Sequence, residues 1–219
     1  MNMNAMEDLL LQELTELYGA EQLILSALPK MAKASHDDKL RGAFETHLKQ
    51  TRDQVERLNR IFKLFGVDPK SGDCEPVSEI IRQSEHLIGN KQADSAIVDA
   101  SLISAAQKIE HYEIALYGTA RSHAKLLGYT KAADLLADTL SEEEETDELL
   151  TQLATKRINV RAAKAPYSNA RTGIRGAEAT SGWGMGTLVS GVAIAAAVAL
   201  LYAPQARGMR DRLGVQNGI

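Results

Sequence analysis

Apolar side chains recur every three or four residues from Met1 to about Asn159, which is the spacing that lines one face of an α-helix. Sustained strand-like alternation of apolar and polar residues does not occur in this region. Stretches rich in Gly, Pro, Asn, Asp and Ser interrupt the pattern as loops do. The pattern predicts four long helices and a short helix between the second and the third, at 6–33, 39–65, 77–88, 93–127 and 130–157.

Polar side chains interrupt the apolar face of every long helix near its middle. The first helix carries Glu21 on a face of Leu, Ile and Met, and the second carries His47. The third and fourth helices carry two carboxylates each. Because the middles of packed helices lie at one level, the pattern predicts that these side chains meet in the core of an all-α bundle. These candidate metal ligands are Glu21, His47, Glu110, Glu113, Glu143 and Asp147.

Carboxylates at one buried level must be protonated or be balanced by basic side chains or cations. Burying a single unpaired carboxylate costs on the order of several kcal/mol. The predicted core faces carry no Lys or Arg at this level, so a pair of divalent metal ions is the favoured source of charge. Oxygen-rich ligands with one imidazole favour iron or manganese over zinc or copper(I). The sequence therefore predicts a dinuclear iron or manganese site.

Each feature also has a purely structural explanation. A single Glu at a heptad position is often an edge residue or a register device, and a single core histidine is often only hydrogen-bonded. The four glutamates at 142–145 are typical of a solvated helix face. The coincidence of interruptions on four helices is what favours a shared metal site over these explanations.

Charge and composition narrow the classes of function. The net charge is −4 and 25% of residues are charged, which argues against nucleic acid as a partner and against wholesale disorder. Cys74 is the only cysteine, which excludes an intramolecular disulfide framework. Residues 1–10 lack the pattern of a secretory signal. We therefore expect the helical bundle to lie in the cytoplasm.

Several segments carry a family resemblance. They include Leu-Tyr-Gly-Ala-Glu-Gln-Leu at 17–23 and Ala-Ala-Gln-Lys-Ile-Glu-His-Tyr-Glu-Ile-Ala at 105–115. Over about residues 5–158 the chain resembles the YciF/YciE-like bacterial stress proteins of the ferritin-like superfamily. The resemblance implies a ferritin-like four-helix bundle with a short crossover helix, homodimers, a dinuclear metal centre and induction under stress. It implies no known reaction, so oxidoreductase-like activity of a di-iron or di-manganese kind remains an open expectation.

The ligand set departs from the ferritin-like pattern of a Glu on each of two helices and Glu-x-x-His on the other two. Glu110 and Glu113 match the expected spacing, whereas Gln54 and Asp147 stand in the places of the two histidines. Gln50 stands where relatives often carry Glu. These departures place oxygen activation and ferroxidase chemistry in question.

If the site is a redox centre, roles can be assigned to the candidate residues as hypotheses. Glu113 or Glu143 would bridge two ions, and His47 would supply the nitrogen ligand. Glu21 and Asp147 would be terminal ligands. The remaining candidates would act around the ligands, orienting them or hydrogen-bonding a carboxylate, although a tyrosine on a helix face also serves packing. They are Gln50, Gln54 and Tyr117.

The C-terminal quarter differs from the bundle. Residues 183–203 carry no charge, are long enough to span a bilayer, and are bracketed by Trp183 and Tyr202. About residues 182–212 resemble a YtxH-type membrane segment. The alternative is a buried or aggregation-prone helix of a soluble protein. We expect a bundle at 1–160, a flexible linker at 161–182, a single membrane span at 183–204 and a basic tail at 205–219.

Two functions fit these observations. The first is a ferritin-like metal-binding stress protein, tethered to the cytoplasmic face of the inner membrane. The second is a helical interaction module at the membrane, without a working metal site, whose polar core is a register device. An iron-storage particle is disfavoured, because a membrane tail fits poorly with a closed shell.

Overall fold

The computed structural model describes residues 5–90 and 92–165, and within these residues every regular element is helical. In this described part of the chain, five helices longer than ten residues are followed by a π-helical turn at Ala154–Ile158 and a short helix, α6, at Asn159–Ala162. The five are α1 (Met6–Ala34), α2 (Asp38–Leu64), α3 (Glu75–Ile88), α4 (Ser95–Leu126) and α5 (Thr130–Leu153).

Within residues 5–90 and 92–165, the predicted all-α fold and its five helices are confirmed. The ends of α1 to α4 lie within two residues of the expected ones. The last helix differs: its α-helical part ends at Leu153, and the π-helical turn replaces the predicted continuation to 157. A π-helical turn adds one residue to a turn of the helix, and the 3.6-residue periodicity of the sequence does not predict where this happens.

The predicted membrane span at 183–204 and tail at 205–219 lie outside the described residues, as does the linker beyond residue 165. No helix among residues 5–90 and 92–165 combines the length and apolar character needed to cross a bilayer.

The four long helices form the bundle. α1 packs against α2 and α4, and α5 packs against the same two helices. α3 connects α2 to α4 and packs on α1 and α4. This arrangement directs one apolar stripe of each long helix inward, as their periodicity requires.

Two apolar clusters fill the two ends of the bundle and leave a polar layer between them. One cluster is built around Leu14 of α1, Phe62 of α2 and Leu136 of α5. The other is built around Leu28 of α1 and Phe44 of α2. The buried polar side chains of the intervening layer are Glu21, His47, Thr51, Gln54, Glu110, Glu113, Thr139, Glu143 and Thr146.

The start of α2 is tied to the end of the bundle by Asp37. Its carboxylate caps α2 by accepting from the backbone N–H groups of Lys39 and Leu40. The same carboxylate accepts from Arg157 at 2.5 Å and from Arg161 at 3.0 Å. The π-helical turn and α6 therefore present two guanidinium groups to one buried cap.

The loop between α2 and α3 lies directly against α1. The Gly72 N–H donates to the Thr15 carbonyl oxygen at 2.9 Å. A Cβ added at Gly19 would lie 2.1 Å from the Gly72 oxygen, so only glycine permits this approach of backbone to helix. The contact positions the start of α3 over the bundle.

Candidate metal centre

Three helices bring an imidazole and three carboxylates to one point in the polar layer. One ligand atom from each of the four side chains lies within 4.8 Å of the others, and all four side chains are buried. Glu110 and Glu113 are one turn apart on α4 and therefore face the same side. His47 of α2 and Glu143 of α5 approach from the facing helices.

Both ring nitrogens of His47 face polar atoms of neighbouring helices. Its Nε2 lies 3.4 Å from Glu110 Oε1 and 3.9 Å from Glu143 Oε2. Its Nδ1 lies 3.4 Å from the Thr146 hydroxyl, which itself donates to the Glu142 carbonyl oxygen. The hydroxyl oxygen is therefore an acceptor for Nδ1–H, which favours the tautomer with a free lone pair on Nε2. That lone pair is the one a metal ion binds.

A fourth carboxylate, Glu21 of α1, lies beside this group. Its Oε1 accepts a hydrogen bond at 2.5 Å from the hydroxyl of Tyr117, which is also buried. Burial and the neighbouring Glu143 raise the pKa of Glu21 well above its usual range. Tyr117 thus hydrogen-bonds a carboxylate that is a candidate ligand, and its role at a metal centre stays a prediction.

Burial sets the protonation of the layer when no cation is present. It raises the pKa of Glu110 and of Glu113 well above the usual range, and nearby carboxyls add to the effect. It raises the pKa of Glu143 to about 7 and lowers the pKa of His47 to about 4. The metal-free layer is therefore kept nearly uncharged, with protonated carboxyls and a neutral imidazole.

Many polar atoms of this layer have no hydrogen-bond partner among residues 5–90 and 92–165, although each is fully buried. Such atoms are rare in folded proteins and each costs on the order of 1–3 kcal/mol. They are all potential metal ligands, so the donor set fits a metal centre. The seven atoms are Oε2 of Glu21, Nε2 of His47, Oε1 of Gln54, Oε2 of Glu110, Oε1 of Glu113, and Oε1 and Oε2 of Glu143.

An ion pair closes the edge of the layer, and sequence reasoning missed it. Arg57 donates to both oxygens of Glu142, at 2.7 and 2.5 Å, and its side chain is 19% exposed. Gln54 donates to the same carboxylate at 3.0 Å. Glu142 is therefore not a solvated residue, and an arginine does reach this level of the core. Arg57 was missed because it lies on the flank of α2 and extends inward only through its long side chain.

The structure does not bring Asp147 into the four-residue group. Its carboxylate accepts from Gln107 at 3.0 Å and lies 3.5 Å from His111 Nε2 at the edge of the bundle. Thr146, one residue earlier, is the side chain that points to His47. Gln50 is half-buried, and its side chain acts to raise the pKa of His47 against the larger, opposite effect of burial.

The helical bundle has a ferritin-like fold. A dodecameric thioferritin, the bacterioferritin-related protein of Bacteroides fragilis, superposes with a TM-score of 0.55. At 17% identity, over 74% of this chain and 93% of that one, this likeness shows the fold alone.

The chain belongs to the family described as a domain of unknown function, DUF892, whose sequence model matches residues 5–163. It is 40% identical to Protein YciF of Escherichia coli K12 over 163 residues, which are 74% of this chain and 98% of that protein. The predicted resemblance to YciF is confirmed. The matched residues end at 163, so the YtxH-like segment at about 182–212 stays a prediction.

Solved structures of relatives agree with this assignment. The crystal structure of the E. coli stress protein YciF has a TM-score of 0.68 at 40% identity and covers 72% of this chain and 99% of its own. YcfI of Rhodopseudomonas palustris has a TM-score of 0.66 at 37% identity and covers 68% and 95% respectively.

Proposed function

We propose that this chain is a metal-binding protein of the stress response, with a dinuclear iron or manganese site in its polar layer. The observation that carries the proposal is the set of seven buried, unpartnered ligand atoms that four helices contribute within the described part of the chain. Unsatisfied buried acceptors are few in folded proteins, and two cations bound in the layer would satisfy these atoms together.

Charge balance supports two ions rather than one. The carboxylates of Glu21, Glu110, Glu113 and Glu143, when ionised, carry four negative charges, which two divalent ions would neutralise. The charge of Glu142 is already matched by Arg57. One imidazole among carboxylates favours iron or manganese.

The bound ions would supply redox and Lewis-acid chemistry, and the chain's own residues prepare their ligands. Tyr117 fixes one oxygen of Glu21, and Thr146 orients the ring of His47. The two apolar clusters exclude water from both ends of the layer. Oxidoreductase-like activity at such a site stays a prediction.

The biological setting is proposed from the relatives and from the sequence. YciF of E. coli is described as a stress protein, and we extend that role to this chain. Homodimers follow from the family resemblance. Attachment to the cytoplasmic face of the inner membrane through 183–204 follows from the apolar run of the sequence.

A metal-free interaction module is the second candidate. It is favoured by Gln54 at the place of a ligand histidine and by the position of Asp147 outside the group. The raised carboxyl pKa values would let such a bundle persist as a protonated, register-setting core.

Metal content of the purified full chain tests the proposal. We expect about two ions per chain when iron and manganese are supplied, and their loss in the double variant Glu110→Ala/Glu143→Ala. A matched control is Glu144→Ala/Glu145→Ala, because these glutamates lie on the same helix and are exposed. If the wild type and the double variant are both folded and neither binds metal, the metal-free interaction module becomes the better explanation of the polar layer.

A further inference from the structure

The side-chain amide of Gln54 lies in the polar layer, where its nitrogen is hydrogen-bonded and its oxygen is not. The side chain is fully buried on α2. Its Nε2 donates to Glu142 Oε2 at 3.0 Å, whereas its Oε1 is buried and has no hydrogen-bond partner among the described residues. An amide oxygen in that condition forfeits a hydrogen bond that water would have supplied.

The orientation of this amide is fixed by its neighbours. An ionised carboxylate only accepts hydrogen bonds, so the amide nitrogen must be the atom that faces Glu142. Arg57 in turn holds both oxygens of Glu142. The carbonyl oxygen is therefore directed away from the ion pair, and the same amide borders the Glu143 carboxylate of the candidate metal group.

The acceptors around Gln54 share its condition. Five carboxylate oxygens of the layer are likewise without hydrogen-bond partners in the part of the chain that the structure describes, and they belong to Glu21, Glu110, Glu113 and Glu143. A carbonyl oxygen among carboxylates is a ligand type that hard divalent cations accept. The cations that would satisfy the unpartnered carboxylate oxygens would therefore also satisfy the unpartnered amide oxygen of Gln54.

We propose that Gln54 is a direct metal ligand through its carbonyl oxygen, held in place by the Glu142–Arg57 ion pair. The inference rests on the proposed function. Because His47 is the single imidazole among the described residues of the layer and offers one nitrogen, it would serve one ion, and the other ion would have oxygen ligands only. We assign Gln54 to that all-oxygen position, because it lies seven residues from His47 on α2, a rise of about 10 Å along the helix. Such a position suits manganese.

Titration of the metal-free full chain with Mn²⁺ tests this assignment. Free aqueous Mn²⁺ is counted from its six-line electron paramagnetic resonance signal, and spin coupling reports two ions in one site. We expect two bound ions in the wild type. In Gln54→Leu we expect the second ion to bind at least about ten-fold more weakly, with loss of the coupled signal.

Two further variants separate a ligand from a merely structural residue. Gln54→Glu keeps an oxygen at the same position but loses the N–H donor to Glu142, so a ligand role predicts that two ions are retained. Thr51→Val removes a polar group from a fully buried residue one turn away, whose hydroxyl bonds the His47 carbonyl oxygen at 2.9 Å. It should also retain two ions.

The outcomes distinguish this inference from the proposed function. If Gln54→Leu binds two ions as the wild type does, or if Gln54→Glu fails as Gln54→Leu does, Gln54 is not a ligand while the metal centre stands. A wild type that binds one ion has no all-oxygen position, which also overturns the inference. A wild type that binds none overturns both.

Discussion

Protonation of single side chains governs how the bundle behaves without metal. Glu143 has a folded pKa of about 7 against an ordinary value of 4.5. Below about pH 4.5 it is protonated in both the folded and the unfolded chain, and its stabilising contribution is fully present. The contribution is lost as pH rises through about 7, because the unfolded carboxyl ionises first.

We therefore expect the free energy of unfolding of the metal-free chain to fall between about pH 5 and pH 8. Glu143 alone contributes on the order of 3 kcal/mol, and the raised pKa values of Glu110 and Glu113 act in the same direction. His47 offsets part of this below pH 6.5, because it stays neutral in the fold down to about pH 4. Urea unfolding at a series of pH values measures the slope.

The variant Glu143→Gln is the control for that slope. It removes one titrating group and keeps the shape of the side chain, so its stability should fall less steeply with pH. Added metal should restore the stability of the wild type at pH 8. A stability that rises from pH 5 to pH 8 in the metal-free wild type would contradict the expected protonated core.

Residue by residue, the sequence located most of the polar layer but not its edge. The interrupted apolar faces identified Glu21, His47 and the two carboxylates of α4, because a residue in the middle of an inward stripe has nowhere else to point. On α5, positions three and four residues after Glu143 both border the inward face. Packing turned Thr146 inward and Asp147 outward, and periodicity alone cannot choose between them.

At the scale of the helices, the Asp37 side chain joins three elements: it caps α2 and pairs with arginines of the π-helical turn and of α6. Replacing Asp37 by Ala removes the cap of α2 and leaves Arg157 and Arg161 without their shared partner. We expect Asp37→Ala to lower the free energy of unfolding by about 2 kcal/mol or more. Denaturant unfolding measures this.

Asp38 provides the comparison for this element. It is the neighbouring acidic residue, and its side chain is 89% exposed beside Arg41. Asp38→Ala should change stability by less than about 0.5 kcal/mol. Equal effects of the two substitutions would mean that the buried cap contributes no more than a surface charge.

Burial alone would raise the pKa of Asp37, but the hydrogen bonds from Arg157 and from the backbone N–H groups of Lys39 and Leu40 lower it. Its contribution to stability is therefore present above its ordinary pKa and is lost as pH falls. Breakers in the sequence predicted where α2 begins. The pairing of its cap with Arg157 and Arg161 was beyond prediction, because it depends on the π-helical turn 120 residues along the chain.

Over the whole bundle, the crossing of α3 depends on the contact of its preceding loop with α1. A methyl group at Gly19 would collide with the Gly72 backbone, whereas one at Gly118 of α4 meets nothing within 4 Å. We expect Gly19→Ala to destabilise the fold by about 1–3 kcal/mol. Gly118→Ala should stabilise it by up to about 1 kcal/mol, because alanine favours the helix.

Thermal unfolding of both alanine variants, with the wild type beside them, tests this arrangement. A neutral Gly19→Ala variant would mean that the loop at Gly72 is free to move off α1. The topology of four long helices and a crossover could be predicted from the sequence, since each helix has a continuous apolar stripe. The close glycine contact could not, because it arises only when two distant segments meet.

The depth of the polar layer has a kinetic consequence. Its four glutamates and His47 are at most 3% exposed. An ion held there can leave only when the helices part, so its residence time is set by how often the bundle opens. Removal by a chelator should reach a plateau rate that more chelator does not increase. Such a protein would retain its ions between openings of the bundle and exchange them only slowly with the surrounding pool.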